Sequence, residues 1–256
     1  MVARRPAGAQ NLPMPPVTQD QPSGPPTARR ELRTRGAGWP RAIAGRLAAV
    51  RATPNMVSVA SLVFAAIAAW AFWEAGRFPL RSSDVFFMMG DRIRRWRTHT
   101  AWWLVLGAAG IQLRLLCNLL DGLLAIEGGL KTKTGELFNE IPDRIADALI
   151  LAGAGYALAR YGWGPALGWS AAVLAVLTAY IRVLGGSLGL PQDFSGPMAK
   201  QHRMFVLTMG ALVAAMEIAI RGRMTALAIA LVIIVAGSAL TAVLRIGRIA
   251  RLLEAR

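Results

Sequence analysis

From Met56 to Trp73 the chain runs without a charged side chain, and five further stretches of comparable apolar character follow it. A helix needs roughly 20 mostly apolar residues to cross about 30 Å of hydrocarbon, and lipid offers no partner to unpaired backbone groups. Six such stretches predict an all-α integral-membrane fold with six transmembrane helices. The second begins near Ala101 and passes Arg114 toward Asn118, and the third starts near Thr134 and turns purely apolar only after Asp147. The fourth covers Gly164 to Ile181, the fifth Met204 to Ile220 with Glu217 inside it, and the sixth Met224 to Leu244. With 55% of 256 residues hydrophobic and 17% charged, the chain exceeds the apolar share of ordinary soluble domains.

The net charge of +15 comes almost wholly from arginine, since Lys131, Lys133 and Lys200 are the only lysines. A basic excess attracts nucleic acid, anionic headgroups or phosphorylated substrates. In so apolar a chain lipid phosphate is the favoured partner, and nucleic acid is not expected. Cys117 stands alone, so it forms no internal disulfide and is expected to pack between helices.

Three regions are expected. Residues 1–39, with Pro15, Pro16, Pro25 and Pro26 among Gly, Gln, Ser and Arg, predict a disordered basic tail without the apolar core of a signal peptide. Residues 40–52 place Ile43, Leu47 and Val50 at helical spacing between Arg41, Arg46 and Arg51. That pattern predicts an amphipathic helix in the headgroup layer, although an ordinary solvated helix satisfies it equally. Residues 53–256 form the membrane domain. Loops 127–133 and 190–203, the tail and the C-terminal run of Arg245, Arg248, Arg251 and Arg256 predict a cytoplasmic side that holds both termini. The basic connection from Arg77 to Arg97 opposes that rule. Paired broken helices in two related halves, as in a small transporter, are absent from the sequence.

Helical positions three and four apart share a face. Asn118, Asp121, Gly122 and Ala125 line the end of the second span, and Gly135, Asn139, Asp143 and Asp147 line the third. The short connection through Gly128 and Gly129 predicts antiparallel neighbours whose polar faces meet. Ionisable groups at membrane depth are costly and mark function. Oxygen ligands without histidine or cysteine suit Mg²⁺ or Mn²⁺. Helix-end capping explains any one of these residues, though not the whole spacing.

The same residues resemble the motif of the CDP-alcohol phosphotransferases: Asp, two residues, Asp-Gly, two residues, Ala-Arg, eight residues, Gly, three residues, Asp, three residues, Asp. Asn118, Asp121, Gly122, Ala125, Ile126, Gly135, Asn139 and Asp143 fall on it without a gap, with five of the eight identities kept. Thr53, Pro54 and Asn55 resemble the family's entry to its first span. The resemblance implies a membrane phosphotransferase of phospholipid synthesis. An acceptor hydroxyl attacks the β-phosphoryl of CDP-diacylglycerol or another CDP-alcohol, and CMP leaves. It further implies two divalent ions on Asn118, Asp121, Asn139 and Asp143, and CDP held along Asn118, Asp121, Gly122, Ala125 and Gly135. Asp143 is then the base, and the protein a homodimer.

Three motif positions depart from the family: Asn118 and Asn139 replace acids, and Ile126 replaces arginine. Two amides remove two units of attraction for cations. Two divalent ions would still balance Asp121, Asp143 and a doubly charged diphosphate. Glu127, Glu136 and Glu140 lie beside the motif, although Glu136 and Glu140 sit about 100° off its face. Farther on, "AYIRVLGGSLGLPQDFSGPMAKQHRM" resembles the acceptor segment of the inositol-phosphate branch, with Tyr180 and Arg182 ending a span and Lys200, His202 and Arg203 after a Gly-rich loop. Arg182, Lys200 and Arg203 are the expected ligands of an acceptor phosphate. Ordinary cytoplasmic flanking charge explains Lys200 and Arg203 as well. His202 is expected to be a bystander, and Glu217 either pairs with an arginine or faces a polar cavity. The competing function is a degenerate relative that binds a CDP-lipid or a partner without turnover.

Overall fold

A computed structural model describes residues 38–49, 53–77, 90–127 and 135–256, so most of the expected tail and most of the basic connection lie outside it. Seven α-helices are present among these residues: α1 (Gly38–Ala49), α2 (Pro54–Gly76), α3 (Gly90–Glu127), α4 (Gly135–Ala157), α5 (Gly164–Ser187), α6 (Lys200–Arg221) and α7 (Thr225–Glu254). No strand occurs among the described residues.

Local chemistry sets the ends. The Thr53 hydroxyl accepts the Met56 N–H at 3.3 Å and Pro54 occupies the first turn, which gives the Thr-Pro-Asn triplet a capping role. Gly222, in the left-handed region at φ 68°, closes α6 by donating to the Ile218 carbonyl. Glu217 takes a role the sequence did not suggest: its Oε2 accepts the Ala226 N–H at 3.0 Å and caps the start of α7.

Five helices are long and apolar enough to cross a membrane: α2, most of α3, α5, α6 and α7. The chain is therefore a multi-pass membrane protein. Six spans were expected, and α4 is the one that falls short on composition. It matches α2 in length at 23 residues, but Glu136, Glu140, Asp143, Arg144 and Asp147 fill its first half. At 38 residues α3 rises about 57 Å, nearly twice the hydrocarbon thickness. The arginines at the end of the basic connection are thus the first turns of a span, where Arg97 donates to the Ile220 carbonyl at 3.2 Å.

The six long helices close a ring in the spatial order α2, α3, α6, α7, α5, α4, each packed on its two neighbours. The expected α3 to α4 pairing is replaced, because α2 wedges between them and packs on both. Small residues permit this: a methyl on Gly153 would meet the Ala69 backbone at 2.7 Å, and one on Gly155 would sit 2.6 Å from the Gly168 Cα. Such close approach is how helices associate where burial of apolar surface gives no advantage. Large apolar side chains point outward instead, including Val63, Val173, Met216, Val232 and Val243. On α1, Ile43, Ala44 and Leu47 pack into the cluster formed by Leu120, Leu123 and Leu124 of α3. Cys117 is free and buried in the same cluster, a packing residue as expected.

Candidate functional site

Buried charge concentrates at one end of the ring. Arg114, Asn118 and Asp121 share a stripe of α3, Asp143 and Asp147 lie a turn apart on α4, and Lys200 and Arg203 open α6. Asp143 gathers most of the contacts. Its Oδ1 accepts from Asn118 Nδ2 at 2.7 Å and from Arg114 Nη2 at 3.0 Å, and its Oδ2 accepts from Lys200 Nζ. Deeper in, Asp147 pairs with Arg114 at 2.8 Å and with Arg203 at 3.3 Å. Asp121 Oδ2 accepts from the Ser58 hydroxyl at 2.9 Å, and the carboxylate lies near enough to Asp143 and Lys200 to feel both charges. The two halves of the motif therefore meet through side chains, across a gap that backbone packing does not close.

Pro142 stands just before Asp143. It has no N–H to offer the carbonyl four residues back, which loosens the helix at the site.

The phosphate-binding candidates separate. Lys200 joins Asp143, whereas Arg203 is fully buried and donates to Asp147, to Thr178 Oγ1 at 3.2 Å and to the Met198 carbonyl at 3.1 Å. Arg182 grips both oxygens of Glu140 at 2.7 Å and lies over the Phe194 ring at 5.0 Å. Glu140 also takes Arg144 at 2.8 Å, so its charge is matched there and does not replace the charge missing at Asn118 and Asn139. Asn139 is half-buried on α4, Gly122 and Ala125 continue the α3 stripe, and Gly135 is the first residue of α4. Tyr180 and His202 are exposed, and His202 Nδ1 sits 3.1 Å from the Pro197 carbonyl. The side chains of Ile126, Glu127 and Glu136 lie outside the described residues.

Two participants carried little sequence signal. Arg114 lies one turn before Asn118 and is completely buried, with Nε and Nη1 lacking a hydrogen-bond partner among the described residues. Ser58 is far from the motif in sequence and reaches it only because α2 is the wedge. Beside the site, the 188–199 segment is held down by Arg245, which donates to the Ser195 carbonyl at 3.0 Å and the Thr178 carbonyl at 2.7 Å. There Arg248 pairs with Asp193. Partial burial pushes the Asp193 carboxyl up, but hydrogen bonds from Ser195 and the Arg248 guanidinium outweigh it, leaving Asp193 below its ordinary value.

The donor set does not fit two divalent ions. Among the described residues no three acidic, histidine or cysteine side chains converge in a way that holds a metal. Three carboxylates, Asp121, Asp143 and Asp147, already face three cations, Arg114, Lys200 and Arg203. The balance expected from Asp121 and Asp143 alone omitted the cations that tertiary packing delivers.

No protein-family model and no curated protein matches the chain. Solved structures do. The crystal structure of Mycobacterium tuberculosis phosphatidylinositol phosphate synthase with CDP-DAG bound aligns at TM-score 0.66 and 21% identity, over 83% of this chain and 94% of that one. The same enzyme in complex with manganese and citrate aligns at TM-score 0.64 and 20% identity, over 82% and 88%. Its apo form aligns at TM-score 0.61 and 20% identity, over 80% and 93%. The chain therefore shares the helical fold of phosphatidylinositol phosphate synthase.

Proposed function

We propose that the protein is a membrane phosphotransferase of phospholipid synthesis that moves a phosphatidyl group from a CDP-linked lipid to an alcohol and releases CMP. The observation that carries this reading is the 2.7 Å contact of Asn118 with Asp143, which joins both halves of the motif beside Asp121. The solved structure bound to CDP-DAG, with the same fold, supports the choice of donor. Lys200, at the aqueous edge of the cluster, meets the charge of the diphosphate, Arg114 holds Asp143 in place from below, and Ser58 fixes the Asp121 carboxylate beside them. The acceptor hydroxyl gives its proton to Asp143 and its oxygen bonds to the β-phosphorus, while the bond to the CMP oxygen breaks and CMP leaves with the electron pair. Fixed donors where negative charge grows, with a carboxylate to take the proton, are the two elements this transfer requires.

In this reading α4 is the sixth span, since it packs between two apolar spans, α2 and α5. The site end is cytoplasmic, which the arginines of α7 and the 182–203 region support. Both described ends of the chain belong to that face: α1 packs on Leu120 to Leu124, and Arg256 donates to the Leu188 carbonyl at 2.9 Å. The functional unit is a homodimer, and α1 lies at the headgroup layer with the basic tail beyond it.

A second reading, donor binding without turnover, is favoured by one observation: every oxygen of Asp143 already faces a donor, and two of its three partners are cations. One assay separates the two. Purified protein is given CDP-diacylglycerol and a panel of free and phosphorylated alcohols, with and without Mg²⁺ or Mn²⁺, and CMP release is measured. Release with any acceptor supports the transferase. No release while CDP-diacylglycerol still binds supports the second reading, and absence of both removes each.

A further inference from the structure

We infer that Lys200 is the resident cation of the carboxylate cluster: its ammonium takes the place a divalent ion would occupy against Asp143, and the free protein therefore excludes such ions. The inference deepens the function proposed above and rests on it for the identity of the site.

Three features point the same way. Lys200 sits on Asp143 Oδ2 while Arg114 and Asn118 hold Oδ1, so no oxygen of that carboxylate is left without a donor. Asn118, bonded to Asp143, brings no negative charge to the cluster where an acid would attract a cation. The neighbouring Asp147 is neutralised by Arg114 and Arg203, so it lends no charge to its surroundings. A divalent ion entering this neutral, buried cluster would add two uncompensated positive charges beside the lysine ammonium, and repulsion grows as the local permittivity falls. Lysine suits the role because its head is a compact point charge on a flexible stem. The side chain keeps 26% exposure, which lets the ammonium reach Asp143 from the aqueous edge.

The test uses the full chain in detergent or nanodiscs and Mn²⁺ alone as the probe. Binding is read from loss of the free-ion signal in electron paramagnetic resonance. The wild type should leave that signal intact at concentrations where Lys200→Met depletes it, with an affinity gain of at least about tenfold in the variant. Lys200→Arg, which keeps the charge, should behave as the wild type. Mn²⁺ binding by the wild type as tight as that of Lys200→Met, or an equal gain in Lys200→Arg, overturns the inference. Should Lys200→Met fail to fold, Asn118→Asp adds negative charge beside Asp143 without touching the lysine and should also gain Mn²⁺, and no gain there is equally fatal. CDP-diacylglycerol binding in the same samples reports on function separately. Its absence in the wild type, alongside a Mn²⁺ gain in Lys200→Met, sinks the donor assignment and leaves the resident cation standing.

Discussion

Arg114 and Asp147 form a 2.8 Å ion pair with side-chain exposures of 0% and 1%, which makes it the most deeply sealed charge contact of the site. Two buried charges are stable together because each removes the other's need for water. Removing one partner strands the other. Arg114→Met is expected to lower stability by about 3–5 kcal/mol, the usual result of breaking a buried pair from one side. Adding Asp147→Leu should recover much of the loss, and thermal unfolding in detergent measures both. A single variant as stable as the wild type would show that the pair is not formed.

Asp143→Asn should abolish CMP release while CDP-diacylglycerol binding persists, because the amide accepts no proton but keeps the shape of the side chain. Asp121→Asn, which removes the charged acceptor of the Ser58 hydroxyl, should lower CMP release as well. Full activity in both variants removes these residues from the reaction.

Ser58→Ala tests the contact between α2 and the motif. The hydroxyl donates to a carboxylate at 2.9 Å, a class of bond with a net contribution of about 1.5–3 kcal/mol. The expected effect is a roughly tenfold or greater fall in kcat/KM, with Ser58→Thr restoring part of it through the retained hydroxyl. Loss of expression in Ser58→Ala with normal kinetics in the surviving protein would assign the bond to stability alone.

Much of this site was legible in the sequence because its information is local. Four-residue steps place Asp121 on one helix face and Asp143 on another wherever the helices go, and uncharged runs mark the spans regardless of their neighbours. What the sequence concealed depends on tertiary order. The short loop predicted that α3 and α4 pack together, yet the Gly153 and Gly155 surfaces let α2 and α5 approach α4 closely. That displacement brings Ser58 to Asp121, and the ring's closure brings Lys200 to Asp143 across 57 positions. Charge counting within the motif could not include a lysine so remote, and Glu140 looked available until Arg182 and Arg144 took it.

The Asp193 and Arg248 clamp gives a pH dependence. Asp193 titrates below its unfolded value of about 3.9, so its contribution to holding the 188–199 segment is complete above that value. It is lost as pH falls through the lower, folded pKa. Proteolysis of this segment should accelerate on acidification into that range, and Asp193→Asn should be cleaved rapidly already at neutral pH. Identical cleavage profiles for the two proteins would rule the clamp out.

Asn118 is the amide most open to test, because it acts as a donor and does not merely fill space. Replacing it with aspartate turns a 2.7 Å hydrogen bond to Asp143 into a contact between two carboxylates. Like charges that close cannot both ionise without a bridging cation or a strongly raised pKa in one of them. Lys200 and Arg114 are already committed to Asp143, so they compensate only part of the added charge. Asn118→Asp should therefore melt at a lower temperature than the wild type in the presence of a chelator, and Mn²⁺ should raise its midpoint while leaving the wild type unmoved. Adding Asn139→Asp should enlarge both effects, since the second carboxylate lies one turn before Asp143 on the same face. A double variant with wild-type stability in chelator and an unchanged Mn²⁺ titration would show that neither position addresses an ion.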